Sequence, residues 1–199
     1  MPEKIVVFGG SFGAGDTLNR ILPQMGRDGF ERADAAAVVV NHLPWEYRPY
    51  AGTLARWTRG EFRRESPVEF REAALDEQIV TGSGLLVPYS AYSLIRHQNG
   101  LPVLKLVYHE DGDPTEIEIN SLFLSASLAF GEGTTAVLLS GCGTDGVYGL
   151  RCIRDAGGKA LVHDYRESNG RMNRTAIEEG LADGVFRIQD FRRCLVQYL

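Results

Sequence analysis

The stretch Ile5-Val6-Val7-Phe8-Gly9-Gly10-Ser11-Phe12-Gly13 sets a serine between glycines directly after an apolar run. A G-x-S-x-G turn at a strand-to-helix junction lifts a hydroxyl to where a base can reach it. Two other polar residues occupy matching places. His42 follows Val38-Val39-Val40-Asn41, and Asp145 follows Val137-Leu138-Leu139 by way of a glycine-rich loop. A serine hydroxyl is a poor nucleophile at neutral pH, so it needs a base, and the base needs a third group to fix its tautomer and orientation. Ser11, His42 and Asp145 supply those three roles, and the chemistry they would perform is hydrolysis of an ester. The negative charge that develops on the carbonyl oxygen needs donors. The main-chain N–H groups of Phe12 and Gly13, near a helix start, are suitably placed. The loop Gly141-Cys142-Gly143-Thr144-Asp145-Gly146 is a second source, with Cys142 on the oxyanion side rather than acting as nucleophile.

Each of these residues has a plainer reading. The glycine-rich turn would equally cradle a phosphate. A histidine can simply end a strand, and Asp145-Gly146 is an ordinary turn dipeptide. His163 also ends an apolar run and is the rival base; His97 and His109 belong to a hairpin region and read as structural or surface residues. A nucleotide-binding enzyme is a further alternative, since Phe8-Gly9-Gly10-Ser11-Phe12 superficially resembles the opening of nucleotidyltransferases. Against it, no H-x-G-H segment follows, no lysine completes a P-loop, and a strict G-x-G-x-x-G is missing.

The elements that would position these residues alternate. Ile5–Phe8, Ala35–Asn41, Thr135–Ser140 and Lys159–His163 are short apolar runs, as expected of strands buried on both faces. Helices are expected between them. One carries Leu18, Ile21, Leu22 and Met25, with Asp16 as cap and Gly26 or Gly29 as terminator. Others span Ala51–Arg64, the segment with Leu122, Phe123, Ala126, Ala129 and Phe130, Val147–Ala156 stopped by Gly157-Gly158, and Asn173–Leu181. Val185–Ile188 reads as a last strand, and Asp190 as the cap of a terminal helix bearing Phe191, Cys194, Leu195 and Leu199. The middle of the chain differs. Val68–Phe70, Gly84–Pro88 and Tyr92–Arg96 read as strands, and Asn99-Gly100 between alternating segments predicts an antiparallel hairpin over about residues 92–108. Glu110-Asp111-Gly112-Asp113-Pro114 is a turn, too poor in ligands for a calcium loop. The predicted fold is α/β: a doubly wound, mostly parallel sheet with helices on both faces and an added hairpin. In such sheets the site lies outside the carboxyl ends of the strands, where Ser11, His42 and Asp145 all fall.

Composition sets the bounds. A chain of 199 residues suits one domain, and a globule of that size buries roughly 70% of its unfolded surface. The net charge of −5 and the lack of a long basic run argue against general nucleic-acid binding. The one basic cluster, Arg56, Arg59, Arg63 and Arg64, reads as a solvated helix face. No run reaches the ~20 apolar residues of a membrane span, and Met1-Pro2-Glu3-Lys4 leads straight into a strand without a signal peptide. Three cysteines with no C-x-x-C pair imply reduced thiols, no zinc site and a cytoplasmic location.

The chain resembles the catalytic domain of the chemotaxis protein-glutamate methylesterase (CheB-type) family. Gly9-Gly10-Ser11-Phe12-Gly13-Ala14 resembles that family's G-A-S-T-G-G block, Asn41-His42-Leu43-Pro44 its Q-H-M-P block, and Leu139–Gly146 its L-T-G-M-G-x-D-G block. Weaker likenesses lie at Leu86-Val87-Pro88, Leu122–Ser127, Ala156-Gly157-Gly158 and Asn173–Gly180, so the resemblance covers nearly the whole chain. It implies hydrolysis of glutamate methyl esters on chemoreceptors, with glutamine deamidation in some members, by Ser11 as nucleophile, His42 as base and Asp145 as orienting acid. It implies no metal and no cofactor. The implied partner is a methylated chemoreceptor or related signalling protein; no receiver domain is expected before the catalytic part, so either the protein is unregulated or a separate regulatory receiver protein supplies control, and residues 1–199 are expected to form one catalytic domain. The departures are Phe12 for threonine, Asn41 for glutamine, Cys142 for methionine and Asn173 for proline, together with the loss of an R-P-S stretch around Pro114–Glu116. They motivate the alternative of a catalytically weak relative that binds a signalling partner, with Arg56, Arg59 and Arg63 meeting acidic groups on it.

Overall fold

The fold was taken from a computed structural model, which describes residues 1–42, 68–88, 91–108, 117–168 and 170–199. The expected helix at 51–64, its arginine cluster, His109 and the turn at 110–114 lie outside the described residues.

Seven strands form one parallel sheet: β1 (Lys4–Gly10), β2 (Ala35–Asn41), β3 (Glu69–Glu72), β5 (Ser83–Leu86), β8 (Thr134–Leu138), β9 (Lys159–His163) and β10 (Gly184–Phe186). Their spatial order is β10-β9-β8-β1-β2-β5-β3. A smaller antiparallel sheet, ordered β4-β7-β6, contains β4 (Glu77–Gln78), β6 (Ala91–Gln98) and β7 (Leu101–Tyr108). The hairpin β6-β7 turns at Asn99-Gly100 as expected. Both residues have positive φ, 53° and 79°, the backbone of a two-residue turn that matches strand twist.

Alternate residues of β1 enter different cores, as the period of two requires. Ile5 and Val7 join the face covered by α3 (Glu118–Phe130), α4 (Val147–Asp155), α6 (Arg171–Glu178) and the hairpin. Val6 and Phe8 join the opposite face, under α1 (Ala14–Ile21), α2 (Arg27–Arg32) and α7 (Phe191–Val196). Because both faces are covered, the central strands are buried along nearly their whole length and mostly apolar, with Thr134 and Thr135 of β8 among the buried polar exceptions. Helix α3 crosses β1 at Gly9: a Cβ there would lie 2.3 Å from Ile119 Cγ2 and 2.8 Å from Phe123 Cζ. The glycine therefore sets how closely the helix, and the site residues at its start, approach the sheet.

Several local expectations need correction. Asp16 does not cap α1; Gly13 is the N-cap, with φ 81°, and Asp16 lies in the first turn. The chain leaves α1 through a 3-10 turn at Leu22–Gln24, and Gly26 leads into α2, a helix the apolar spacing does not announce. Asp190 does stand at the N-cap position of α7 as expected, but it makes no side-chain capping bond; its Oδ1 accepts from Arg193 Nη2 at 2.9 Å. The last strand is shorter than expected, ending at Phe186. The short helix α5 (Tyr165–Ser168) and the two-residue strand β4 were also not foreseen.

Candidate active site

Strands β8, β1 and β2 are neighbours in the centre of the sheet, and each delivers one candidate residue at or beyond its carboxyl end. Ser11 follows the last residue of β1, and His42 follows the last residue of β2. The backbone ties these ends together: His42 N–H donates to the Gly10 carbonyl at 2.6 Å, and Ser11 N–H donates to the Ser140 carbonyl at 2.8 Å. With its side-chain amide oriented to satisfy its neighbours, Asn41 also donates to the Gly10 and Ser11 carbonyls, at 3.2 and 3.1 Å. The three candidates are 9%, 7% and 7% exposed, so they sit in the sheet's rim rather than on its surface.

Asp145 lies in the loop between β8 and α4, and its position is set by α3. The N-cap of α3, Ile117, makes no side-chain capping bond. Asp145 supplies the missing acceptors, taking the Ile119 N–H on Oδ2 and the Asn120 N–H on Oδ1, both at 2.9 Å. Asn120 returns the favour to α4. Its Oδ1 accepts from Gly146 N–H at 3.0 Å and Gly149 N–H at 2.8 Å. The two helices thus cap each other through Asp145 and Asn120, and the carboxylate is held from two sides.

Held this way, Asp145 Oδ2 lies 3.6 Å from His42 Nδ1. A second carboxylate faces the same nitrogen: Glu118 Oε2 is 3.5 Å away, on a side chain only 1% exposed. Burial raises the Asp145 carboxyl to a pKa of about 6. The two α3 amides and the His42 ring pull it down, and Glu118 pushes it up further.

The oxyanion-side candidates divide by exposure. Phe12 is 60% exposed beside Ser11, and Cys142 is exposed in the loop after β8. Gly13 has the left-handed backbone that starts α1. Gly141 packs against the serine itself, for a Cβ there would stand 2.9 Å from Ser11 Cβ and 2.8 Å from Met172 Cε. Any larger residue at 141 would displace Ser11.

His163, the rival base, is placed elsewhere. It is the last residue of β9, stacks on Phe186 at 5.3 Å between ring centroids, and sets Nε2 3.2 Å from Glu167 Oε2. Sequence reasoning missed Glu118. The one signal was an acidic residue just before the apolar stripe of a helix, and that pattern is ordinarily a solvated first turn. Among the described residues, no group of three or more His, Cys, Asp and Glu side chains is arranged to hold a metal ion, and no helix is long and apolar enough to cross a membrane.

A family model described as CheB methylesterase matches residues 6–195. The chain belongs to the CheB methylesterase family. It is 30% identical over 197 residues to a protein-glutamate methylesterase/protein-glutamine glutaminase of Moorella thermoacetica, covering 97% of this chain and 43% of that protein. A protein of Anaeromyxobacter dehalogenans with the same description, numbered 2, is 31% identical over 193 residues, 96% of this chain and 52% of that one. The chain thus spans about half the length of these curated relatives. The crystal structure of the Thermotoga maritima CheB methylesterase catalytic domain superposes with a TM-score of 0.83 at 25% identity, covering 98% of both chains. The match supports the α/β architecture with its added antiparallel sheet.

Proposed function

We propose that this chain hydrolyses protein glutamate methyl esters, with Ser11 as nucleophile, His42 as general base and Asp145 as the acid that orients the ring. The observation that carries the reading is the convergence at one rim of three adjacent strand ends, with His42 Nδ1 3.6 Å from the Asp145 carboxylate. With Nδ1 turned to the acid, Nε2 is left for the serine proton. Ser11 Oγ attacks the ester carbonyl while His42 takes its proton. The tetrahedral oxyanion is met by the Phe12 and Gly13 amides and the 141–143 loop. Collapse returns the proton to the leaving oxygen and releases methanol, leaving an acyl-serine. His42 then takes a proton from water, whose oxygen attacks the acyl carbon and frees the glutamate carboxylate together with Ser11 Oγ, which recovers its proton.

The relatives are described as acting on protein glutamate esters and protein glutamine, and the same reading extends to this chain: a methylated chemoreceptor or related signalling protein as substrate, with deamidation as a second reaction of the same relay. Methanol release from a methylated receptor fragment is the test. Ser11→Ala should lower turnover by roughly 10⁶-fold, the loss expected when a relay acts as a unit. Retained turnover in that variant removes Ser11 from the reaction. Tight receptor binding without turnover in the unaltered protein would instead favour a binding module.

A further inference from the structure

The triad reading leaves a buried acid unused. Glu118 opens α3, is almost fully enclosed, and points Oε2 at the same His42 nitrogen that Asp145 faces. An enclosed carboxylate is costly unless something compensates it, and the imidazole is a compensating group in reach. The two acids are not equivalent. Both oxygens of Asp145 already accept α3 amides, at 2.9 Å each. The two distances to Nδ1, 3.5 and 3.6 Å, are nearly equal, so distance does not choose between the acids.

We infer that Glu118 is a second positioning acid for His42, sharing the Nδ1 side of the ring with Asp145. This rests on His42 acting as the base. The division of labour follows from the contacts. Asp145 is anchored by the helix start and fixes where the acid edge of the site lies. Glu118 adds a negative charge on the same side, so that the imidazolium formed when Ser11 loses its proton faces two acids. The charged groups acting on Asp145 are His42, from the end of β2, and Glu118, from α3.

The sign of the effect is fixed by charge. A carboxylate beside the ring favours imidazolium, so removing it moves the imidazole titration to lower pH. In Glu118→Gln, NMR titration of the His42 ring nitrogens should move down by about one pH unit, the low end for loss of one charge at this distance. The acid limb of kcat/KM should move with it, and kcat should fall about tenfold. Glu118→Asp, which keeps the charge, should recover most of both. An unmoved His42 titration in folded Glu118→Gln overturns the inference. The ring titration is read without turnover, so it decides the role of Glu118 even if Ser11 proves not to be the nucleophile. Should the glutamine variant fail to fold, the side-chain carboxyl carbon of Glu118 in the unaltered protein gives the answer. Its resonance should show an inflection at the pH where His42 titrates, and a flat trace there would overturn the inference equally.

Discussion

Two buried histidines end parallel strands of this sheet, and they have opposite surroundings. His42 lies one residue beyond β2, beside the serine-bearing end of β1, with two carboxylates on one ring nitrogen. His163 is the last residue within β9, one strand further out, stacked on Phe186 and tied to Glu167. Its carbonyl accepts from Asn173 Nδ2 at 2.7 Å, and burial depresses its pKa. A residue inside the last rung of a strand still points into one covered face, whereas a residue just past it stands at the rim where loops converge. One position therefore packs, and the other stands where the proposed mechanism needs its base, although the two look alike in sequence.

The widest separation should appear in activity. His42→Gln should cost roughly 10⁵- to 10⁶-fold in kcat on a methyl ester, while His163→Gln should leave kcat within a few-fold and lower the midpoint of thermal unfolding. Equal losses of activity would erase the contrast. Asp145→Asn should come next, with roughly 10⁴-fold loss of kcat through the wrong tautomer.

The same aspartate sharpens the comparison through stability. Its folded pKa of about 6 stands above the ordinary 3.8, so the fold prefers the protonated form. The ionised form costs the fold about 3 kcal/mol, at about 1.4 kcal/mol per unit. That cost is absent below the unfolded pKa, grows between about 4 and 6, and is complete above 6. Relative to the unaltered protein, Asp145→Asn should therefore be more stable at pH 8 than at pH 4, as read by denaturant unfolding. A difference independent of pH would contradict the enclosed placement of that acid.

His163 should give the smallest effect, and one of opposite sign. Its depressed pKa means the fold prefers the neutral ring. The stability it contributes is complete above the unfolded pKa and is lost as pH falls from there through the depressed folded value. The deficit of His163→Gln should accordingly shrink on acidification. A deficit that grows instead would mean His163 gains stability from being charged.

What could be read from the chain and what could not differ for physical reasons. The strands β1, β2, β8 and β9 announce themselves because burial on both faces leaves no polar residue in Val6–Phe8 or Ala36–Val40. The hairpin is equally legible, since Asn99-Gly100 is chosen by the turn's own backbone. The helix starts are less so. Asp16 and Asp190 have the right residue type for caps, yet α1 is entered through the left-handed backbone of Gly13, and Asp190 spends a carboxylate oxygen on Arg193. The expected alignment of Ser11, His42 and Asp145 at strand ends matches the sheet because each follows its own strand locally. That β8, β1 and β2 are neighbours is a matter of topology, which local patterns do not carry. Glu118 is the sharpest case. Nothing near Ile117-Glu118-Ile119 says that this glutamate is enclosed; the loop after β8 and the end of β2, distant in sequence, enclose it.

The central claim is that Ser11 is made reactive by His42. Mass spectrometry after brief exposure of the folded protein to an organophosphonate tests it most directly. The expected result is one phosphonyl group on Ser11, lost in folded His42→Gln. An unlabelled Ser11 in the unaltered protein, or the same labelling with and without the imidazole, would contradict it.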